Sequence, residues 1–364
     1  MHAPPDFRSP PLQDCRWQPS HLRALSPWQA RGALVLLAVV IVGGIAVACS
    51  SLSQGFADAT DRGPGDRELF AAKAERIAAG EGYYEAAAVE LTDRGYPTQS
   101  VFNWRTPLPM WLLGRTSLLF GKVLLIALAA VLLLTAFEWT AREGGAAVAV
   151  LTSLLLLAAL LPCVLGDLVV MPVLWAGVLI ALSVSLLGLG KARLGVVSGV
   201  AALFIRELAG PFCAGACMYA LWKKQYREAA SWAAGIALYL VFFAWHAVQV
   251  AAHQPTDGHA HAASWIQLAG APFVLATAQM NTLLLLSPQW LTAVYLPLAL
   301  LGFVSWTTDA GQRAGLAAVG YLLLFAVVGQ EFNQYWGALT APLLCLGAGR
   351  APLAMRDLWR AAQG

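Results

Sequence analysis

Charge is scarce in this chain. Only 12% of its 364 residues are Asp, Glu, Lys or Arg, about half the share usual in soluble domains, which excludes an ordinary water-facing globule. Metal-type cysteine spacing is missing as well. The six cysteines stand at 15, 49, 163, 213, 217 and 345 without a CxxC pair, mostly inside apolar runs, and read as small buried residues. No internal repeat is evident and no soluble domain is appended; the lack of paired repeats speaks against a transporter built on internal symmetry. What the chain has is apolar sequence: 59% hydrophobic residues and a mean hydropathy of +0.64. The fold class expected is therefore all-α, a polytopic membrane protein.

Residues 1–32 are polar and Pro-rich and carry Arg8, Arg16, Arg23 and Arg31, so they read as a disordered cytoplasmic tail. A membrane domain follows over 33–349. Its first span is residues 33–52; Ala46-Val47-Ala48 before Cys49 imitates a cleavage site, but the leading region is long for a signal peptide and the span is expected to stay. Further apolar runs cover 123–140, 146–164, 169–189, 194–222, 229–252, 291–306, 314–329 and 337–347. The run 194–222 is too long for one span and holds Arg206-Glu207 in its middle. Threaded as a single span it puts Lys191 and Arg193 opposite Lys223, Lys224 and Arg227, against the positive-inside rule; threaded as a hairpin of two short helices it puts both clusters inside. The hairpin gives about ten spans, both termini cytoplasmic, a C-terminal tail over 350–364, and two large outer loops, 54–120 and 253–289, the second with an interfacial helix over 263–285.

The first outer loop organises the rest. Asp66 follows Gly63-Pro64-Gly65 in a position suited to a helix N-cap, and opens a helix with Leu69, Phe70, Ala74, Ile77 and Ala78 along one face. A second interfacial helix is expected from Thr106 as N-cap and Pro107 at the first turn, carrying Leu108, Trp111, Leu112, Leu118, Leu119 and Phe120, with Arg115 interrupting. Ionisable groups at membrane depth are costly and are default functional candidates. The threading gathers Asp66, Glu68, Arg105, Arg115, Lys122, Asp167, Arg206, Glu207 and Glu331 at the outer face, with Tyr335 and Trp336 as interfacial aromatics. His259 and His261, near His253 and Asp257, have the look of metal ligands, but HxH in a polar loop is usually solvated, and no metal site is assigned there.

The stretch GDRELFAAKAERIAAGEGYY resembles the first outer loop of GT-C membrane glycosyltransferases, in which an acidic residue is followed by an aromatic a turn later, small residues and G-x-G-Tyr. FNWRTPLPMWLL, running on to Phe120-Gly121, resembles their juxtamembrane segment, and Asp167 matches their second acidic position. The resemblance spans about the first two thirds of the chain. It implies transfer of a sugar from a polyprenyl-phosphate donor to an acceptor hydroxyl on the periplasmic face, with Asp66 as general base and Asp167 as a second acid orienting acceptor or metal. Phe70 stands where many members have Tyr, and Asp167 stands alone where some have an acidic pair, which leaves room for a divalent metal without requiring one; no other cofactor is expected. Arg206 is expected to grip the donor phosphate, with Glu207 pairing to a first-loop cation such as Arg105, and Lys122, Glu331 and Tyr335 complete the substrate-binding candidates. The partners so implied are the lipid-linked sugar, a glycan, lipid or protein acceptor, and membrane lipids, with no nucleic acid, in a bacterial inner membrane. The rival reading is a transporter or flippase of lipid-linked saccharides, whose polar groups would line a path through the bundle rather than converge at one end.

Overall fold

The computed structural model describes residues 20–51, 65–256, 258–260 and 264–364. In chain order the described helices are α1 (Pro27–Ser51), α2 (Asp66–Ala78), α3 (Tyr83–Asp93), α4 (Val101–Trp104), α5 (Leu108–Arg115), α6 (Leu118–Gly144), α7 (Ala146–Leu160), α8 (Pro172–Gly188), α9 (Ala192–Ile205), α10 (Gly210–Trp222), α11 (Tyr226–His253), α12 (Gly270–Ala278), α13 (Thr282–Leu285), α14 (Gln289–Val304), α15 (Asp309–Val327) and α16 (Ala341–Gln363). Among the described residues the sole β pairing is a bridge between Ile266 and Val328. Most of the tail over 1–32, with Gly63 and Pro64, lies outside the described residues.

Every apolar run of the sequence is a helix. Among the described residues, five helices are long and apolar enough to cross a membrane unaided, those in α1, α6, α7, α11 and α15. Of the other helices at apolar runs, α8, α9, α10 and α14 have 17, 14, 13 and 16 residues, and the 23-residue α16 passes as a span only together with the turn at Phe332–Leu339, from which it is bent by 61°. α8 is shielded from lipid: it is buried on every side from Pro172 to Leu186 and forms the centre of the bundle, as suits a helix apolar all round. α14 and α16 cross closely because Gly302 faces the backbone of Gly347, where a Cβ has no room. α1 lies at the edge, with Val35, Leu36, Val39 and Val42 exposed, and α11 likewise presents Leu238, Val241 and Val248. So much exposed aliphatic surface is a lipid-facing belt. The chain is a multi-spanning membrane protein.

α9 and α10 form a hairpin. Phe204 on α9 meets Tyr239 and Phe242 of α11 with ring centroids 5.4 and 5.2 Å apart, while further back Gly199 sits beside Phe212 of α10 and Trp232 of α11. The Cys213 thiol donates to the Gly199 carbonyl at 3.3 Å, so the two helices run antiparallel with Arg206 at their turn. That turn meets α11 near Tyr239, well short of the helix end at His253. The space above it is filled by the first loop: Thr106 Oγ1 donates to Ile205 O at 3.1 Å, Phe102 packs on Phe243 at 5.7 Å, and Tyr84 OH meets His246 Nδ1 at 2.8 Å.

Two sequence expectations for the loops change. Thr106 caps no helix, because its hydroxyl is spent on the α9–α10 turn, and α5 starts after Pro107 and stops at Arg115. Leu118, Leu119 and Phe120 belong to α6, whose N-cap Ser117 accepts the Phe120 N–H at 3.0 Å; a serine cap made a new helix where the apolar spacing alone suggested continuation. The single interfacial helix expected over 263–285 is likewise two, α12 and α13, broken where Asn281 caps the Leu283 N–H at 3.0 Å.

The far end of the bundle is closed by separate polar clips. Asp357 accepts from the Ser20 N–H and hydroxyl at 3.0 and 2.9 Å, and Arg31 donates to Ala362 O at 3.0 Å, so the N- and C-terminal segments share that end. Glu143 takes the Trp306 indole and the Thr308 hydroxyl, and Arg313 pairs with Glu228.

Candidate active site

Asp66 is the first residue of α2, and the N-cap is Gly65, so its carboxylate caps nothing. Its oxygens instead accept the Tyr335 hydroxyl at 2.5 Å and the Tyr96 hydroxyl at 3.2 Å. The helix register explains the aim: Leu69, Ile77, Phe70 and Ala74 bury one stripe against α5 and α3, and Asp66, one turn before Phe70, continues that stripe to the loop surface. Burial and the neighbouring Asp66 charge push the Tyr96 phenol up, so it stays a hydrogen-bond donor.

Arg105 stands beside this pair between α4 and α5. Its backbone has φ +64 and ψ +167, a region nearly reserved for glycine, and a non-glycine there costs about 1–3 kcal/mol. The surrounding structure holds it there. Tyr83 donates to the Trp104 carbonyl and, at 3.1 Å, to the Arg105 carbonyl, Arg105 Nη1 donates to Phe102 O at 2.7 Å, and the guanidinium reaches Glu207 Oε1 at 3.4 Å. The cation is thus within electrostatic reach of Glu207, Tyr335 and Asp66 together.

Arg206 is 1% exposed. Its Nη1 is 3.5 Å from Glu207 Oε1, so Glu207 approaches Arg206 as well as Arg105; the extended backbone of Arg206 between two helices brings the neighbours together. Its Nε and Nη2 have no hydrogen-bond partner, nor has Glu207 Oε2. Buried polar atoms are rarely left so, and here two donors and one acceptor at one helix turn are without a partner among the described residues.

A cleft of about 70 Å³ opens at Asp66, lined also by Leu69, Phe70, Tyr96, Pro97, Asn103, Arg105, Trp265 and Phe332. Of the residues singled out from sequence, the structure therefore brings together Asp66, Arg105, Arg206, Glu207 and Tyr335. The rest lie elsewhere. Asp167 is exposed in the α7–α8 connection and is not among the cleft's walls; Lys122 Nζ donates to Gly166 O in that connection at 3.2 Å. Arg115 is exposed at the end of α5, Glu68 pairs with Arg67 on the surface, and the side chain of Glu331 lies outside the described residues, as do Asp257 and His261.

Lys73 was not singled out. It lies two turns after Asp66, is 0% exposed, and its ammonium has no hydrogen-bond partner. Burial, with the Arg105 charge adding to it, pushes its pKa down to about 7. The signal was in the sequence: Lys73 falls between Leu69, Phe70 and Ile77 inside the apolar stripe, where a lysine is out of place. Trp265 and Asn103 carried no such mark, because only the folded loops bring them to the cleft.

Both oxygens of Asp66 accept tyrosine hydroxyls, and among the described residues no second carboxylate lines the cleft and no three His, Cys, Asp or Glu side chains converge. A larger cavity of about 440 Å³, between α10 and α15, is apolar apart from Tyr219 and Arg313 at one end, and Arg313 is already paired with Glu228. It holds no set of acid, base and unpaired cation. Among the described residues, the partly satisfied ionisable groups near Asp66 lie at the opposite end of the bundle from the clips made by Asp357, Glu143 and Arg313.

The backbone is similar to that of ArnT from Cupriavidus metallidurans, a crystal structure of the apo state, with a TM-score of 0.52 at 16% identity over 89% of this chain. The chain spans about 60% of that protein's length. Neither a protein-family model nor a curated protein sequence matches the chain. The fold is all-α and polytopic, as expected from the sequence, and it is the fold of ArnT.

Proposed function

We propose that this protein is a membrane glycosyltransferase that moves a sugar from a polyprenyl-phosphate donor to an acceptor hydroxyl, at the periplasmic face of a bacterial inner membrane. The observation that carries the reading is a carboxylate released from capping near an undersatisfied buried guanidinium: Asp66 at the cleft, Arg206 beyond it, and between them Arg105, within electrostatic reach of Asp66 and sharing the Glu207 carboxylate with Arg206. The likeness of fold to ArnT supports it.

In this reading the acceptor hydroxyl enters the cleft and gives its proton to Asp66 while its oxygen bonds to the anomeric carbon of the sugar. The bond from that carbon to the phosphate oxygen breaks, and its electron pair leaves with the polyprenyl phosphate. The phosphate gains one negative charge in doing so. Arg206, with two free donor positions in a fixed planar fork, and Arg105 receive that charge in a site that excludes water. Tyr335 and Tyr96 keep the Asp66 carboxylate aimed, and Glu207 holds the two guanidiniums in place. Asp167, exposed and not among the described walls of the cleft, is given no part in this step, an assignment tested separately below.

The test is transfer by purified protein in lipid, with a radiolabelled polyprenyl-phosphate sugar and an envelope extract as acceptor. Asp66→Asn keeps the shape and one of the two acceptor oxygens that receive tyrosine hydroxyls but cannot take a proton, so turnover falls at least about a hundredfold while donor lipid still binds. Turnover near the wild-type rate would end the general-base assignment.

A further inference from the structure

Across the cleft from Asp66 the wall is aromatic. Trp265 lies stacked against Trp336 with ring centroids 6.0 Å apart and planes 23° apart, and Phe332, 44% exposed, stands on the rim. The backbone carrying Trp265 is fixed from both sides: the Gly329 N–H donates to Trp265 O at 3.0 Å, Gln330 Nε2 donates to Ser264 O at 2.7 Å, and Ile266 bridges to Val328. Gly329 has φ +131, which a side chain would resist, and it sits against Phe273 and Trp336 where a Cβ has no room. The platform is therefore set before any ligand arrives.

Around it the polar groups are few and placed at the edges: the Asp66 carboxylate, the Tyr96 hydroxyl, the Asn103 amide and Arg105, with Leu69, Phe70 and Pro97 between them. At about 70 Å³ the cleft admits a hydroxyl and its carbon but not a whole sugar ring, so a ring reaching Asp66 must rest across the rim. A pyranose suits such walls, having apolar C–H faces and a polar periphery. A peptide acceptor would want a row of free backbone partners, and the segment about Trp265 already spends the Gln267 and Leu268 N–H groups on Val327 O and the Trp265 carbonyl on Gly329 N–H. Arg206 does not line this cleft, which puts the donor phosphate on the other side of Arg105 and leaves this side to the acceptor.

We propose that Trp265, with Phe332 at the rim, is the platform for a pyranose ring of the acceptor, so that the acceptor is a saccharide rather than a peptide or a phospholipid headgroup. The inference rests on the glycosyltransferase reading for its choice of acceptor over donor. It is tested by binding, not by turnover. Full-length protein in nanodiscs is titrated with methyl pyranosides of the gluco, galacto, manno and N-acetylglucosamine series, a serine tripeptide and glycerol phosphate, and read by saturation-transfer NMR.

At least one pyranoside binds saturably to the wild type, with transfer strongest to the C–H protons of one ring face. Trp265→Ala weakens it about tenfold and Trp265→Phe by no more than about threefold, since an aromatic face is retained. Thermal unfolding of each variant shows whether the fold persists, and the Phe variant carries the test if the Ala variant does not fold. Binding by none of the four pyranosides, equal binding in Trp265→Ala, or preference for the tripeptide or glycerol phosphate overturns the proposal. Displacement of the pyranoside by polyprenyl-phosphate sugar but not by polyprenyl phosphate would assign the platform to the donor sugar and also overturn it. Unchanged turnover in Asp66→Asn with pyranoside binding intact would instead remove the catalytic reading and leave a saccharide site.

Discussion

Lys73 offers a measurement that needs no substrate. Its ammonium is fully buried and lacks a hydrogen-bond partner, and its pKa falls from an ordinary 10.5 to about 7, chiefly through lost hydration, then through repulsion by Arg105, with Asp66 and Glu90 attracting it only in part. The drop of about 3.5 units corresponds to roughly 5 kcal/mol against folding with the lysine charged. Because the folded value is the lower one, the unfolded chain holds a proton that the folded chain lacks between about pH 7 and 10.5. Stability therefore rises with pH across that window, by up to about 1.4 kcal/mol per unit from this residue, and the whole penalty is present below it. Lys73→Met keeps the length and removes the charge. Thermal unfolding of the detergent-solubilised protein from pH 6.5 to 10 shows wild type climbing toward alkaline pH, while the variant starts higher at neutral pH and loses most of that climb. Parallel curves for the two proteins, or a variant less stable at every pH, would refute the account of Lys73 as an uncompensated buried cation.

Tyr335→Phe leaves Asp66 with one tyrosine donor; turnover drops about tenfold or more with donor affinity little changed, as measured by initial rates against donor concentration. Arg206→Lys replaces a planar fork by a point charge, and steady-state kinetics show donor use falling more than about thirtyfold in protein that is still inserted; wild-type rates in Arg206→Lys and Arg206→Ala would remove the phosphate role. Asp167→Asn changes turnover by less than about threefold, since Asp167 is exposed and is no wall of the cleft, and a loss as large as that of Asp66→Asn would restore it as a second acid. Reporter fusions after Thr256 and Arg356 give an outside and an inside signal respectively, and the reverse at either site would refute the assigned sidedness.

Much of the fold was legible because lipid and water sort residues so strongly. The apolar runs all became helices, and the argument from Lys191, Arg193, Lys223 and Lys224 led to the α9–α10 hairpin, whose 14 and 13 residues are short for a span because the first loop rests on its turn. Helix ends were less legible. Ser117 and Asn281 restart helices by side-chain capping, a local hydrogen bond that apolar spacing does not register. In the site, Asp66, Arg105, Arg206, Glu207 and Tyr335 were found because a charge or an interfacial tyrosine stands out in an apolar chain, whereas Trp265 and Asn103 are ordinary loop residues until the fold gathers them.

Arg105 shows why composition could go no further. Nothing in FNWRTPLP marks the arginine as strained, and a glycine would take φ +64 and ψ +167 at no steric cost. The strain is borne by Tyr83, whose hydroxyl holds the carbonyls on both sides of the Trp104–Arg105 peptide, and by Glu207, which holds the guanidinium from the hairpin turn. Those two restraints come from G-x-G-Tyr in the loop and from Arg206-Glu207 in the membrane, segments more than a hundred residues apart. Their meeting at one residue is what couples the loop's carboxylate to the hairpin's cation. Asp66 by itself is a loop acid and Arg206 by itself an expensive buried charge; Arg105 lies within electrostatic reach of Asp66 and shares the Glu207 carboxylate with Arg206, and the transfer proposed above depends on that link.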